Sequence, residues 1–142
     1  MRTLSFVLIC SCALTLAACA SNRTDLTETG RVGVKIDDGL GSPVQYVTVY
    51  FDPDEAETVI RGKVYGSRVP FYPTYGKHVH VTVISSDGKV IASENPRLIW
   101  QRTSKFRSAT GRFTVRLPEP VPNGTVVDVV FHDTLHSNAS VS

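Results

Sequence analysis

The strongest constraint on this chain's fold is a run of apolar and polar residues alternating with period two. In His78-Val79-His80-Val81-Thr82-Val83 and in Arg112-Phe113-Thr114-Val115-Arg116-Leu117, every second residue is apolar. An extended strand collects such residues on one face, whereas a helix would scatter them around its axis. The same alternation recurs in Val32, Val34 and Ile36, in Val47, Val49 and Phe51, in Ile60, Gly62 and Val64, and in Val127, Val129 and Phe131. Turn-forming residues separate the runs: Asp38-Gly39, Gly41-Ser42-Pro43, and Ser86-Asp87-Gly88 ahead of Lys89 to Ser93. The eight Pro and ten Gly oppose long helices. An all-β fold is the expectation.

About seven short strands joined by turns predict a single antiparallel β-sandwich of immunoglobulin- or fibronectin-like architecture. The Cys and Trp hallmarks of an antibody domain are absent. The 142 residues suit one domain, and 42% apolar content excludes a disordered chain. A net charge of only +2 argues against general nucleic-acid binding. No repeat of solenoid or propeller length is present.

The N-terminal segment carries a different signal. Arg2 precedes an uncharged apolar run from Leu4 to Ala18, shorter than the roughly 20 residues that span a bilayer. It ends in Leu16-Ala17-Ala18-Cys19, which resembles the lipobox of bacterial lipoproteins. The resemblance implies a signal peptide over 1–18 and diacylglycerol on the thiol of Cys19. It also implies membrane attachment through that lipid and, with Ala20 rather than Asp in second place, sorting to the outer membrane facing the periplasm. A competing A-x-A cleavage after Ala20 would release a soluble protein. Residues 19–30 read as a lipidated tether, 31–135 as the sandwich and 136–142 as a flexible tail. Cys10 and Cys12 fall in the removed peptide, so the exported domain rests on its apolar core without a disulfide. The segments G-K-H-V-H-V, S-D-G-K-V-I-A, G-R-F-T-V-R-L-P and V-V-F-H-D, spread from Ile60 to Asp133, resemble those of small bacterial envelope lipoproteins. That likeness implies no particular activity.

Four features are candidates for chemistry. His78 and His80 share a strand face and, with His132 on another strand, could gather three imidazoles around zinc or copper. The H-V-H triplet resembles a ligand strand of copper-zinc superoxide dismutase, but the rest of that ligand set has no counterpart; two solvent-facing histidines are the simpler expectation. Asp52-Pro53-Asp54-Glu55-Ala56-Glu57 packs four carboxylates into six residues without calcium-loop spacing. It reads instead as a capped helical turn, with Asp52 as cap and Pro53 in first place.

Charge is also unevenly distributed. Six acids and no base occupy Asp37 to Glu57, and six bases and no acid occupy Arg97 to Arg116. Arg102, Lys105 and Arg107 are the bases on which an acidic partner, an anionic glycan or a membrane surface would dock. The alternative is that the two sets neutralise each other. Last, Tyr65, Phe71, Tyr72 and Tyr75 lie among Pro70 and Pro73, where rings on a stiff loop can stack on sugars or anchor an interface; they can equally plug one end of the sandwich. Trp100 reads as core.

No nucleophile elbow, phosphate loop, H-E-x-x-H or dinucleotide fingerprint occurs. The expectation is therefore a non-catalytic, membrane-anchored envelope lipoprotein without cofactor, serving as a binding or accessory module for an envelope protein or glycan. The alternative is a periplasmic metal-binding protein using the His-x-His strand. Nothing in the pattern sets the oligomeric state.

Overall fold

A computed structural model describes residues 22–37, 43–66, 77–102 and 109–132. Among them are nine strands: β1 (Thr24–Asp25), β2 (Val32–Ile36), β3 (Val44–Asp52), β4 (Glu57–Gly66), β5 (His78–Ile84), β6 (Val90–Glu94), β7 (Ile99–Arg102), β8 (Ala109–Leu117) and β9 (Thr125–His132). They form a five-stranded sheet in the order β1-β3-β4-β8-β7 and a four-stranded sheet in the order β2-β9-β5-β6. Packed face to face, these make the all-β sandwich that the alternation predicts. The chain changes sheet five times, and three antiparallel pairs, β3–β4, β5–β6 and β7–β8, each stay within one sheet. One pair is parallel: β2 runs alongside β9, with Val32 opposite Thr125 and Ile36 opposite Val129.

The inner faces are the apolar sets of the alternating runs. Val79, Val81 and Val83 of β5 and Val127 and Val129 of β9 are fully or almost fully buried, facing Val49, Ile60, Val64 and Phe113 of the other sheet. Each such burial stabilises the fold by about 1.5–3 kcal/mol relative to exposure. Two inward glycines have a specific steric role. Gly62 lies directly across from Phe113, and a Cβ placed on it would meet the ring at 2.1 Å. Gly111 lies across from Trp100, whose ring carbons approach a would-be Cβ to 3.2 Å. In both pairs the large ring occupies the room that the missing side chain leaves. Trp100 is thereby held against the core, as its apolar neighbours predict.

Three local features depart from the sequence reading. The stretch read as a tether contributes β1, which pairs Thr24 with Phe51 and Asp25 with Tyr50. Leu26 follows it into the core, donating its N–H to the Val49 carbonyl at 2.8 Å. Asp25 turns the chain there by accepting the N–H groups of Thr27 and Glu28 at 2.8 and 3.0 Å. Second, Pro53 to Ala56 form the turn of the β3–β4 hairpin and not a helical turn. Asp52 accepts the Asp54 N–H at 3.3 Å, and Ala56 takes a left-handed φ of 53° so that Glu57 can pair with Asp52. Third, Ile99–Arg102 form a short edge strand that the alternation did not single out. The β5–β6 turn is as expected: Gly88, at φ 84°, donates its N–H to the Ser85 carbonyl, and the Ser85 hydroxyl donates to Asp87.

Candidate ligand-binding face

The residues that alternate with the core on β3, β4, β7 and β8 point away from it, and together they form the outer face of the five-stranded sheet. On β4 these are Val59, Arg61, Lys63 and Tyr65; on β8 they are Thr110, Arg112, Thr114 and Arg116. Strand pairing then sets which of them are neighbours.

One end of this face is closed and charge-balanced. Tyr50 and Val59 sit opposite each other, and both are buried although they face outward. Guanidinium groups cover the Tyr50 ring: Arg23 lies 5.2 Å and Arg61 5.1 Å from its centroid. Arg23 also donates to the buried Asp52 carboxylate at 2.9 Å. That hydrogen bond and charge push the Arg23 guanidinium further above its ordinary range. Arg116 pairs with Glu57. One acid of the first charge cluster, Glu57, thus neutralises one base of the second, in the manner of the neutralising alternative.

The middle of the face is different. One row crosses four strands: Tyr46, Lys63, Arg112 and Ile99. Lys63 and Arg112 are direct cross-strand neighbours, an arrangement in which like charges repel. Among the described residues neither has an ion-pair partner. The row is flanked by two exposed apolar groups, Tyr46 at 50% and Ile99 at 61%. Arg61 lies on one side of it and the exposed Tyr65 on the other, opposite Thr110. The result is an outward surface carrying three neighbouring cations, with tyrosines and an isoleucine at its margins. Such a surface attracts anions and offers apolar contacts beside them.

Of the residues singled out by sequence, Tyr65 belongs to this face. Cys19, Phe71, Tyr72, Tyr75, Lys105 and Arg107 lie outside the described residues, as does the side chain of Arg102. The topology nevertheless brings together the attachment points of the tyrosine-rich and basic segments. Gly66, where the tyrosine-rich segment departs, pairs with Ala109, and Ala109 pairs with Arg102, where the basic segment begins. Both segments therefore leave the same end of the sheet, next to Tyr65. The main cations of the face, Arg61 and Lys63, were missed by sequence reasoning. The signal was present, because they alternate with the inward Ile60, Gly62 and Val64.

The three histidines stand on the outer face of the other sheet. His78 is opposite His132, and their rings stack with centroids 4.9 Å apart and planes 21° apart. His80 engages both ring nitrogens, Nδ1 with the Asn95 side-chain oxygen at 2.8 Å and Nε2 with the Ser93 hydroxyl at 3.1 Å. The described residues contain no group of three or more His, Cys, Asp or Glu side chains placed to hold a metal ion. No described helix is long and apolar enough to cross a membrane.

Protein-family models, curated proteins and solved structures provide no significant match to the chain, so the functional reading rests on the residues themselves.

Proposed function

We propose that this chain is a non-catalytic envelope lipoprotein, anchored through lipid on Cys19 at the outer membrane and facing the periplasm. Its sandwich acts as a binding module that presents the outer face of the five-stranded sheet to an anionic partner. The observation that carries the binding reading is the Lys63–Arg112 pair, without an ion-pair partner among the described residues and set between exposed Tyr46 and Ile99. Placing two cations side by side costs folding stability, and a bound anion would reverse that cost. The lipobox resemblance supports the anchor, and the absence of catalytic motifs supports binding over chemistry.

Two measurements test this reading. Intact mass of the protein made with its native signal should show diacylglyceryl on Cys19. Retention on an anionic matrix should fall to lower salt in the Lys63→Glu/Arg112→Glu variant. Unchanged retention would remove the face from consideration.

The stacked His78–His132 pair supports a second reading, periplasmic metal binding. It would require His80 to exchange its Ser93 or Asn95 contact for a metal. Elemental analysis of protein purified without a His tag decides it, through stoichiometric zinc or copper that a His78→Ala/His80→Ala variant lacks.

A further inference from the structure

We infer that the partner of the cationic face is the anionic headgroup surface of the membrane that holds the lipid anchor. This rests on the lipoprotein reading above and adds a docking geometry to it.

The argument starts from where the chain enters the domain. Arg23 lies on the outer face of the five-stranded sheet, over the Tyr50 ring, and the edge strand β1 begins at the next residue. Cys19 is four residues before Arg23, so a fully extended chain separates their Cα atoms by at most about 14 Å. A lipid on Cys19 therefore keeps this edge of this sheet close to the bilayer, with little slack for the domain to turn over. The face so positioned has the composition of an interfacial surface. Lys63, Arg112 and Arg61 supply charge for phosphate groups, Tyr46 and Tyr65 supply rings with a polar tip, and Ile99 supplies an aliphatic contact.

The other outer face differs. It carries a Lys35–Asp128 ion pair at 3.6 Å, the histidines, and Val126 at 37% exposure, without a cluster of unpaired cations among the described residues. Charge thus distinguishes the two sides of the sandwich, and the anchor enters at the edge of the cationic one.

The test uses the chain expressed with its native signal and reconstituted into vesicles of phosphatidylcholine, with or without phosphatidylglycerol. With Cys19 lipidated, a new cysteine is the only free thiol. An environment-sensitive fluorophore is placed in turn on Tyr46→Cys, Ile99→Cys and, on the opposite face, Val126→Cys. The expected result is a blue shift at 46 and 99 in phosphatidylglycerol vesicles, none at 126, and loss of the shift in a Lys63→Gln/Arg112→Gln background with unchanged circular dichroism. Water-like emission at 46 and 99, or equal shifts on both faces, would overturn the docking geometry. A lipidated mass in that same sample would leave the lipoprotein reading standing and assign the face to a soluble anionic partner.

If the mass instead shows no lipid, the anchor reading fails and the face is read by co-sedimentation. Salt-sensitive binding to phosphatidylglycerol vesicles, weakened about 30-fold by the double Gln variant, would support the surface. Failure to sediment would overturn it.

Discussion

Replacing Gly62 by alanine puts a methyl group where the Phe113 ring already lies. The new Cβ would stand 2.1, 2.3 and 3.0 Å from three ring carbons, whereas carbon atoms in contact prefer roughly 3.5–4.0 Å. Relief requires the ring or the strand to move by more than about 1 Å. Phe113 is 2% exposed and belongs to the same core cluster as the fully buried Ile60, Val49 and Val64, so the ring has no solvent-side room into which to retreat. Overpacking of this kind costs about 1–3 kcal/mol, and the severity of the overlap places Gly62→Ala at the upper end. The smaller backbone entropy of alanine offsets at most about 1 kcal/mol of that. A net loss near 2 kcal/mol lowers the midpoint of thermal unfolding by roughly 8–12 °C in a domain of this size. Urea unfolding followed by circular dichroism should show a lower midpoint with an unchanged slope. The decisive control is the cycle with Phe113→Leu, which shortens the ring's reach. Gly62→Ala/Phe113→Leu should be more stable than the sum of the single variants by more than about 0.5 kcal/mol. A Gly62→Ala protein as stable as the parent, or strictly additive energies, would refute the steric account.

Gly111→Ala should show the same effect in milder form, because its Cβ would meet the Trp100 ring at 3.2 Å. A loss of about 1 kcal/mol or less is expected, together with a shift in the emission of the single tryptophan. Thr58 is fully buried in β4; its hydroxyl donates to the Glu119 carbonyl at 3.0 Å and accepts the Val121 N–H at 3.2 Å. Thr58→Val keeps the shape and strands both groups, so chemical denaturation should show a loss of about 1–3 kcal/mol. Two carboxylates should shape the acid limb of stability. Burial pushes the Asp25 carboxyl up, but hydrogen bonds from the Thr27 side chain and the Glu28 and Thr27 N–H groups outweigh it and hold the group low. The Ser85 hydroxyl and the Lys89 N–H hold Asp87 low. A carboxyl depressed in the folded state contributes stability above its unfolded value, about 3.9, and that contribution fades as pH falls through the lower folded value. Thermal midpoints measured from pH 5 down to pH 2 should therefore fall less steeply in Asp25→Asn/Asp87→Asn than in the parent.

The elements of the sandwich were legible because period-two alternation is a local property. Valines at 79, 81 and 83, or at 127 and 129, have only one way to share a face, so the core and the outward residues follow from the strand geometry. Turn chemistry at Ser85–Lys89 is local in the same sense, since Ser, Asp and Gly satisfy one another within five residues. The edge strands β1 and β7 were not legible. They are two and four residues long and owe their extension to a neighbouring strand, not to a pattern of their own. The Asp52–Glu57 turn misled the reading because its acids satisfy a helix-capping pattern equally well; pairing of Asp52 with Glu57 across the hairpin selects the other outcome.

By itself, then, the sequence determined that the chain is all-β and which residues of the alternating runs turn inward. Only the tertiary structure decided which outward residues meet. Lys63 and Arg112 are 49 positions apart, and Tyr46 and Ile99 are further apart still. They form one row because β4 lies between β3 and β8 in a particular register, and register is a property of paired strands that no single strand encodes. The same pairing neutralises Arg116 with Glu57 and leaves Arg112 without an acid among the described residues. Both arginines lie on β8, and nothing in the composition of that strand distinguishes them.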